Sequence, residues 1–313
     1  MVLAFVFPGQ GSQAVGMGKA LAEAFPVARQ TFEEVDEALK QSLSRLIADG
    51  PEDQLTLTEN AQPALMAVSL AVVRVLEAEG GIDLAARAAL VAGHSLGEYS
   101  ALAAARTFTL ADTARLLKTR GQAMQKAVPV GAGAMAALLG VGLDQARAIA
   151  EAAAEGQVCE PANDNGGDQI VLSGNAAAID RAVKLAPDHG AKRAILLQVS
   201  APFHCSLMQP AAEAMADALA RVDMAPPLVP LVANVTAAPV EEPDTIRRLL
   251  VEQVTSMVRW RESVLAMKAA GVDTLVELGS GKVLGALVRR IDRELTGISV
   301  GDPQGVDAFL KTL

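Results

Sequence analysis

The sequence predicts an α/β fold, a parallel-sheet core that carries an inserted ferredoxin-like α+β subdomain. Near both ends of the chain, short apolar runs alternate with helical patterns, as strands of a covered parallel sheet require. Between residues 131 and 198 the order changes to β-α-β-β-α-β, which is the ferredoxin-like order. Glycines precede this segment and Ser200-Ala201-Pro202 follows it. We therefore expect a large domain of residues 1–130 and 199–313 and a small subdomain of residues 131–198.

The first part of the large domain predicts two buried strands among helices. The strands are expected at 2–7, before a Pro-Gly turn, and at 88–93. Helical patterns occupy 17–48, which is rich in alanine, glutamate and leucine, then 60–79, the segment from Glu98 to about Ala105, and 110–127.

The insertion and the final part of the chain follow with shorter elements. In the small subdomain the predicted strands are 134–141, 157–162, 169–173 and 191–198, and the predicted helices are 144–155 and 176–187. In the final part, the predicted strands are 228–233 and 273–278, and the predicted helices are 207–221, 243–254, 260–270 and 282–293.

Composition narrows the function classes. The chain has 313 residues, 51% of them hydrophobic and 20% charged, as in globular proteins. Its net charge of −9 and its 3% aromatic content disfavour nucleic-acid binding. The two cysteines, Cys159 and Cys205, show no metal-ligand or disulfide spacing, so we predict no metal and a cytoplasmic location. No basic leader is found and no apolar run is long enough to cross a membrane.

A nucleophilic serine is predicted at Ser95. Residues 93–97 match G-x-S-x-G between a buried strand and a helix, the turn that exposes a serine hydroxyl at a sheet edge. Glycines on both sides let the backbones pass closely. The amide of Leu96, at the start of the helix, could face an oxyanion.

The base that this serine needs is predicted to be His204. The chain has three histidines. His94 adjoins the serine in sequence and suits packing or hydrogen-bonding support, whereas His189 lies at a predicted helix end at the surface. His204 follows the small subdomain on a loop, where catalytic groups are often held by a rigid scaffold.

Two further features allow more than one interpretation. Residues 9–14 fit G-x-G-x-x-A, but residues 31–41 are helical and polar where a nucleotide site needs a second strand, so this loop instead suits an oxyanion contact through the Gln10 amide. Arg120 lies at the edge of the apolar stripe of its helix, and an arginine held against the core needs an anionic partner. That partner could be a structural acid or a substrate carboxylate.

Several runs resemble the malonyl-CoA:acyl-carrier-protein transacylase family in sequence and order. They are FPGQGSQ (7–13), GHSLGEYSAL (93–102), RGQAMQ (120–125), NDN (163–165), SAPFHC (200–205), VEQVTSMVRW (251–260) and LVELGSGKVL (275–284). The resemblance spans nearly the whole chain and implies a hydrolase-like core.

The resemblance also implies a role for each matching residue. Ser95 would carry a malonyl ester and His204 would be its base, held by a backbone carbonyl near Gln253. The Gln10 and Leu96 amides would form the oxyanion hole, and Arg120 would bind the free malonyl carboxylate. Gln253 and Asn163 would line the site, and the ring of Phe203 would favour malonyl over methylmalonyl groups.

The resemblance further implies ping-pong transfer of malonyl from malonyl-CoA to the phosphopantetheine thiol of an acyl carrier protein, with no bound cofactor. Because carrier proteins are acidic, we expect a basic docking rim formed by Lys282, Arg289, Arg290 and Arg293. We predict a monomer that binds neither nucleic acid nor membrane.

Three alternatives stay open at this point. The chain could serve a polyketide synthase as a discrete acyltransferase, could be a serine esterase or thioesterase, or could bind carrier proteins without catalysis. In hydrolases with this elbow the catalytic histidine lies near the C-terminus. Here the last histidine is His204, and residues 205–313 contain none, which argues against a hydrolase. The intact set of Ser95, His204 and Arg120 argues against the non-catalytic alternative.

Overall fold

The computed structural model describes the backbone of residues 1–313 and every side chain except that of Ala85. Its strands form a six-stranded and a four-stranded sheet. In chain order the strands are β1 (Leu3–Phe7), β2 (Ala88–Gly93), β3 (Gly133–Leu139), β4 (Cys159–Asp164), β5 (Gln169–Asn175), β6 (Arg193–Leu196), β7 (Leu231–Val232), β8 (Pro239–Val240), β9 (Thr274–Leu278) and β10 (Thr296–Val300).

The large sheet has the order β10-β9-β1-β2-β7-β8. Its first five strands are parallel and β8 pairs antiparallel with β7 at one edge. All residues of β1 and β9 are buried, as expected for central parallel strands covered on both faces. The loops that follow β1, β2 and β9 therefore leave the same carboxyl edge of the sheet, where α/β proteins place their sites.

Helices cover both faces of this sheet, and two further helices belong to the inserted small sheet. The helices before the insertion are α1 (Lys19–Ala24), α2 (Pro26–Leu39), α3 (Leu43–Asp49), α4 (Glu52–Thr56), α5 (Thr58–Gly80), α6 (Leu84–Arg87), α7 (Gly97–Ala104) and α8 (Leu110–Ala127). Those of the insertion are α9 (Leu143–Ala154) and α10 (Ala176–Leu185), and those after it are α11 (Gln209–Leu219), α12 (Pro243–Gln253), α13 (Trp260–Ala269), α14 (Val283–Ile291) and α15 (Pro303–Leu310).

Helix α5 is the central helix of the large domain. By length and composition alone it could cross a membrane, but 83% of its most apolar window is buried inside the fold. It packs against α2, α7 and α8. An apolar helix with this much cover is what the core of a large α/β domain requires.

The small sheet is antiparallel, with the order β4-β5-β3-β6. Helices α9 and α10 pack on it and enclose a separate apolar core. The strands and helices of this unit, from residue 133 to residue 196, lie within the small subdomain predicted at residues 131–198. Its edge strand β4 is joined to the large domain by backbone hydrogen bonds of 2.9 Å between Val258 and both Ala162 and Asp164.

The predicted α/β class, with a parallel core and an inserted antiparallel sheet, is confirmed. The exact domain boundaries stay a prediction. Two short strands, β8 and β10, were not predicted. The last long helix was predicted to reach Arg293, but α14 ends at Ile291 because Asp292 adopts an extended conformation.

Candidate active site

A sharp turn between β2 and α7 presents Ser95. Its φ of 54° is in the left-handed region, which is uncommon outside glycine. The flanking glycines are required by space: a Cβ on Gly93 would lie 1.9 Å from the carbonyl of Gly97, and one on Gly97 would lie 2.2 Å from the carbonyl oxygen of Phe7. Only glycine lets the elbow pack against β1 this closely.

His204 meets this serine across 109 positions of sequence. Its Nε2 lies 2.7 Å from Ser95 Oγ, and its Nδ1 lies 2.9 Å from the backbone carbonyl oxygen of Gln253. The carbonyl can only accept, so Nδ1 carries the hydrogen and Nε2 is left to accept the serine proton. The pair has the geometry that a nucleophile and its base require, with a main-chain oxygen in the place of an acid.

The protonation state of His204 suits a base. Burial and the nearby positive charge of Arg120 lower its pKa to about 3. The imidazole is therefore neutral at physiological pH and has a free lone pair toward Ser95.

Arg120 reaches the same point from α8. Its side chain is 1% exposed, although the sequence suggested only the edge of the apolar stripe. One terminal nitrogen donates to Ser95 Oγ at 3.1 Å and to Gln253 Oε1 at 2.8 Å, and the other donates to Gln62 Oε1 at 2.8 Å. The guanidinium lies 5.7 Å from the centre of the Tyr99 ring.

The charge of Arg120 has no carboxylate in contact. Within the described residues it forms no ion pair, and its Nε has no hydrogen-bond partner. Burial lowers its pKa, and the field of Glu98 partly offsets that effect. A buried guanidinium whose hydrogen-bond acceptors are two amide oxygens and one hydroxyl oxygen, all neutral, is prepared for an incoming anion.

Two buried side chains behind the elbow were missed in the sequence. Asn234 accepts a hydrogen bond from the Ser95 amide at 2.8 Å and donates to the Gly93 carbonyl at 2.7 Å. Glu98 accepts from Gln253 Nε2 at 2.7 Å and from the Asn234 amide at 3.2 Å. Burial raises the pKa of Glu98 to about 7, against these hydrogen bonds. No motif spacing marks either residue, since their partners lie far apart in sequence.

A cleft of about 580 Å³ opens onto these groups. Most of the predicted site residues line it, namely Gln10, Ser95, Leu96, Arg120, Asn163, Phe203 and His204. Gln253 lies behind Arg120 instead of at the cleft surface, and acts through its amide and its carbonyl. Both domains contribute to the walls, since Met135 of β3 and Asn163 of β4 face the large-domain loops.

Two backbone amides at the cleft are available to an oxyanion. They belong to Gln10, in the loop after β1, and to Leu96, directly before α7. No protein acceptor for either amide is found within the described part of the chain. Free amides at a cleft can stabilise developing negative charge, so both are candidates for the predicted oxyanion hole.

The other two histidines have different settings. His94 Nε2 lies 2.9 Å from Asn165 Oδ1 in the β4–β5 turn, and its ring packs near Trp260. Burial lowers its pKa, so it is a neutral link between the elbow and the small subdomain. His189 lies in a short turn after α10, half-buried and outside the residues that line the cleft.

The four basic residues predicted for docking are exposed, and none forms an ion pair with a described residue. Lys282 follows β9 in a loop tied to the loop after β1 by a 2.7 Å hydrogen bond from Ser280 to the Ser12 carbonyl. Arg289 and Arg290 are in the last turn of α14, and Arg293 lies beyond it. Arg290 packs beside Gly167 of the β4–β5 turn. The same turn contains Asn165, the hydrogen-bond partner of His94.

Among the described residues, no group of three or more histidine, cysteine, aspartate or glutamate side chains is arranged to hold a metal ion.

Comparison with known proteins agrees with this geometry. Residues 4–300 match the model of the acyl transferase domain family. Over 312 residues the chain is 45% identical to the malonyl CoA-acyl carrier protein transacylase of Bacillus subtilis (strain 168), covering 99% of this chain and 97% of that protein. The chain belongs to the malonyl CoA-acyl carrier protein transacylase family.

Solved structures of this family superimpose closely. The acyl-carrier-protein-S-malonyltransferase of Bartonella henselae has a TM-score of 0.97 at 56% identity, covering 100% of this chain and 99% of that one. A malonyl-transacylase in complex with a type II PKS acyl-carrier protein has a TM-score of 0.97 at 40% identity, covering 100% of both chains. The family, fold and enzyme class predicted from sequence are confirmed.

Proposed function

We propose that this enzyme transfers malonyl from malonyl-CoA to the phosphopantetheine thiol of a holo-acyl carrier protein through a malonyl ester of Ser95. The observation that carries this proposal is the meeting of three groups at one cleft. A serine hydroxyl lies 2.7 Å from a neutral imidazole and 3.1 Å from a buried guanidinium that has no ion pair with a described residue.

The first half-reaction forms the acyl-enzyme. His204 Nε2 takes the Ser95 proton while Oγ attacks the thioester carbonyl, and the resulting oxyanion is bound by the Gln10 and Leu96 amides. The C–S bond then breaks, and CoA leaves as the thiol with the proton from His204. The free carboxylate of the malonyl group pairs with Arg120, whose planar fork matches a carboxylate.

The second half-reaction reverses these steps. The pantetheine thiol of the carrier protein enters the same cleft, gives its proton to His204 and attacks the serine ester. The C–O bond breaks, Ser95 regains its proton and malonyl leaves on the carrier. No cofactor of the enzyme takes part, since phosphopantetheine arrives on the partner protein.

The ring of Phe203 supports malonyl selectivity. It is 8% exposed, precedes His204 directly and lines the cleft. A buried aromatic ring in the wall of the cleft that holds Ser95 limits the room for an α-methyl branch. We therefore include discrimination against methylmalonyl in the proposal, with Asn163 as a further residue that lines the cleft.

The identity of the carrier is a second question. One related transacylase was solved with a type II PKS acyl-carrier protein, so service to a polyketide synthase is the alternative that a specific observation favours. Hydrolysis is less favoured because the related sequences are transacylases, and because no histidine follows His204, whereas hydrolases with this elbow have theirs near the C-terminus. Cytoplasmic location and a monomeric state stay predictions, and Cys159 and Cys205, both free and buried, agree with the former.

We expect the purified enzyme to move malonyl from malonyl-CoA onto holo-carrier protein, and not onto the apo-form, which lacks the thiol. Intact-mass measurement of the carrier checks this outcome. Free malonate should form much more slowly than malonyl-carrier. Malonate as the main product, with holo-carrier present, would instead identify a hydrolase.

We also propose that the basic residues beside the cleft dock the acidic carrier protein. Lys282 lies at the carboxyl edge of the sheet with Ser95, and Arg290 packs at the turn that contacts His94. With Arg289 and Arg293 they give four exposed positive charges, Lys282 directly before α14 and the three arginines at its end, on a chain of net charge −9. Exposed positive charges along one helix attract and orient an acidic partner.

Reversal of this charge should weaken use of the carrier protein. We expect Lys282→Glu combined with Arg290→Glu to raise KM for holo-carrier by about tenfold or more, since about 1 kcal/mol is at stake for each exposed charge. Acylation of the enzyme by malonyl-CoA should be unchanged. Arg87→Glu, an exposed charge reversal before β2 at the opposite edge of the sheet, is the control. A loss confined to the acylation step would contradict the docking role.

A further inference from the structure

The carboxyl group of Glu98 belongs to a buried hydrogen-bond network. Through Gln253 and Asn234 this network is linked to the three groups of the proposed mechanism, Ser95, His204 and Arg120. Glu98 is in the first turn of α7, directly after the nucleophile elbow, and is 1% exposed. Its Oε2 accepts hydrogen bonds from Gln253 Nε2 and from the Asn234 amide. It does not line the cleft, so it cannot touch the substrate.

The side-chain amide of Gln253 could in principle point either way. Its Nε2 donates to Glu98 Oε2 at 2.7 Å and to the Ser95 carbonyl at 3.0 Å. The carbonyl can only accept, and Glu98 Oε2 also accepts from the Asn234 backbone amide. These two acceptors fix the amide so that Oε1 faces Arg120 at 2.8 Å. In the flipped orientation an NH₂ group would face the guanidinium, donor against donor.

Gln253 also carries the carbonyl that orients His204. One residue therefore joins the base, through its main chain, to the carboxylate clamp, through its side chain. Asn234 extends the network to the nucleophile. Its backbone amide donates to Glu98 Oε2, and its side-chain Oδ1 accepts from the backbone amide of Ser95.

We propose that Glu98 is a positioning residue that sets the orientation of the Gln253 amide and thereby fixes Arg120 and His204 relative to Ser95. The proposal rests on the roles proposed above for those three residues. What matters in it is an acceptor oxygen at the right distance from Gln253.

The negative charge itself is secondary in this arrangement. Burial raises the pKa of Glu98 to about 7, so that both forms of the carboxyl exist near neutral pH. The protonated form still has a carbonyl oxygen that can accept from Gln253 Nε2. Glutamine at this position copies that neutral form with the same reach.

A matched pair of substitutions separates reach from charge. Glu98→Gln keeps the reach and loses the charge, whereas Glu98→Asp keeps the charge but withdraws the acceptor by one methylene. We expect Glu98→Asp to lower kcat for malonyl transfer by about 10- to 100-fold, because misplacement on the ångström scale has effects of that size. Glu98→Gln should be faster than Glu98→Asp by about tenfold or more.

The rates are divided by the amount of enzyme that forms a malonyl adduct, which counts only folded sites. Glu98→Asp equal to or faster than Glu98→Gln would overturn the proposal, because charge and not reach would then be decisive. If the aspartate variant does not fold, a loss of about 100-fold or more in Glu98→Gln overturns it equally, and a smaller loss supports it.

A double-mutant cycle tests the route through Gln253. Gln253→Leu removes the amide but keeps the carbonyl that binds His204. In that background Glu98→Asp should have almost no further effect on kcat, since coupled residues are not additive. The same loss in both backgrounds would show that Glu98 acts elsewhere. Ser95→Ala distinguishes failure of the proposed function from failure of this inference. A malonyl adduct that survives Ser95→Ala refutes the proposed function. If only the expected order of the rates of Glu98→Gln and Glu98→Asp is not found, this inference alone is refuted.

Discussion

Ser95→Ala is expected to abolish the malonyl adduct that the native enzyme forms with malonyl-CoA. Oγ is the atom that lies 2.7 Å from His204 Nε2, and an alanine leaves no nucleophile at the elbow. Transfer to the carrier protein should fall by about 10⁴-fold or more, as loss of a serine nucleophile does in other acyl-transfer enzymes. Intact-mass spectrometry after brief incubation, followed by peptide mapping of the adduct, checks the site.

Ser100→Ala is the matched control for this experiment. Ser100 is buried on α7, five residues after the nucleophile, and its hydroxyl has no hydrogen-bond partner among the described groups. Its removal should leave the adduct intact. An adduct that persists in Ser95→Ala would mean that another group is the nucleophile.

Arg120→Ala is expected to lower kcat/KM for malonyl transfer by about 10²- to 10³-fold, and to lower acetyl transfer much less. The malonyl group loses the cation that pairs with its carboxylate, whereas an acetyl group has no carboxylate to bind. Some loss is expected with both substrates, because Arg120 also donates to Ser95 Oγ and Gln253. The measured quantity is the ratio of the two rates.

This ratio protects the test against folding defects, since a fraction of unfolded enzyme reduces both rates equally. Arg120→Lys serves as a control that keeps the charge without the planar fork, and it should give an intermediate ratio. If Arg120→Ala reduced malonyl and acetyl transfer by the same factor, the carboxylate clamp would be refuted.

The sequence predicted that Ser95 and His204 would meet because the signals of both residues are local or few. Ser95 is marked by two glycines whose spacing the elbow requires, and His204 is one of three histidines. The parallel core follows from apolar runs at β1, β2 and β9. The large-domain loops and β4 meet at the cleft because the small subdomain is inserted in the chain between Arg120 and His204.

Other features could not be read from the sequence. Glu98 has the pattern of an ordinary acid in a first helical turn, and only the burial of all of α7 makes it part of the site. Asn234 contacts Ser95 across 139 positions without any spacing rule. Strand β10 is short and only its last residue is buried, so its alternation is weak. The burial of Glu98, the contact of Asn234 with Ser95 and the pairing of β10 all depend on tertiary packing, which the local sequence pattern does not indicate.

The way in which Arg120 is buried has a consequence for substrate choice before any substrate binds. Folding has already removed water from this cation and supplied only neutral oxygens in exchange. With Arg120 as the proposed carboxylate site, an acyl chain that ends in a carboxylate would supply the missing counter-charge, while one that ends in a methyl group would not. The free enzyme would then favour the acidic acyl group through an unpaired charge, before the shape of the cleft has any effect.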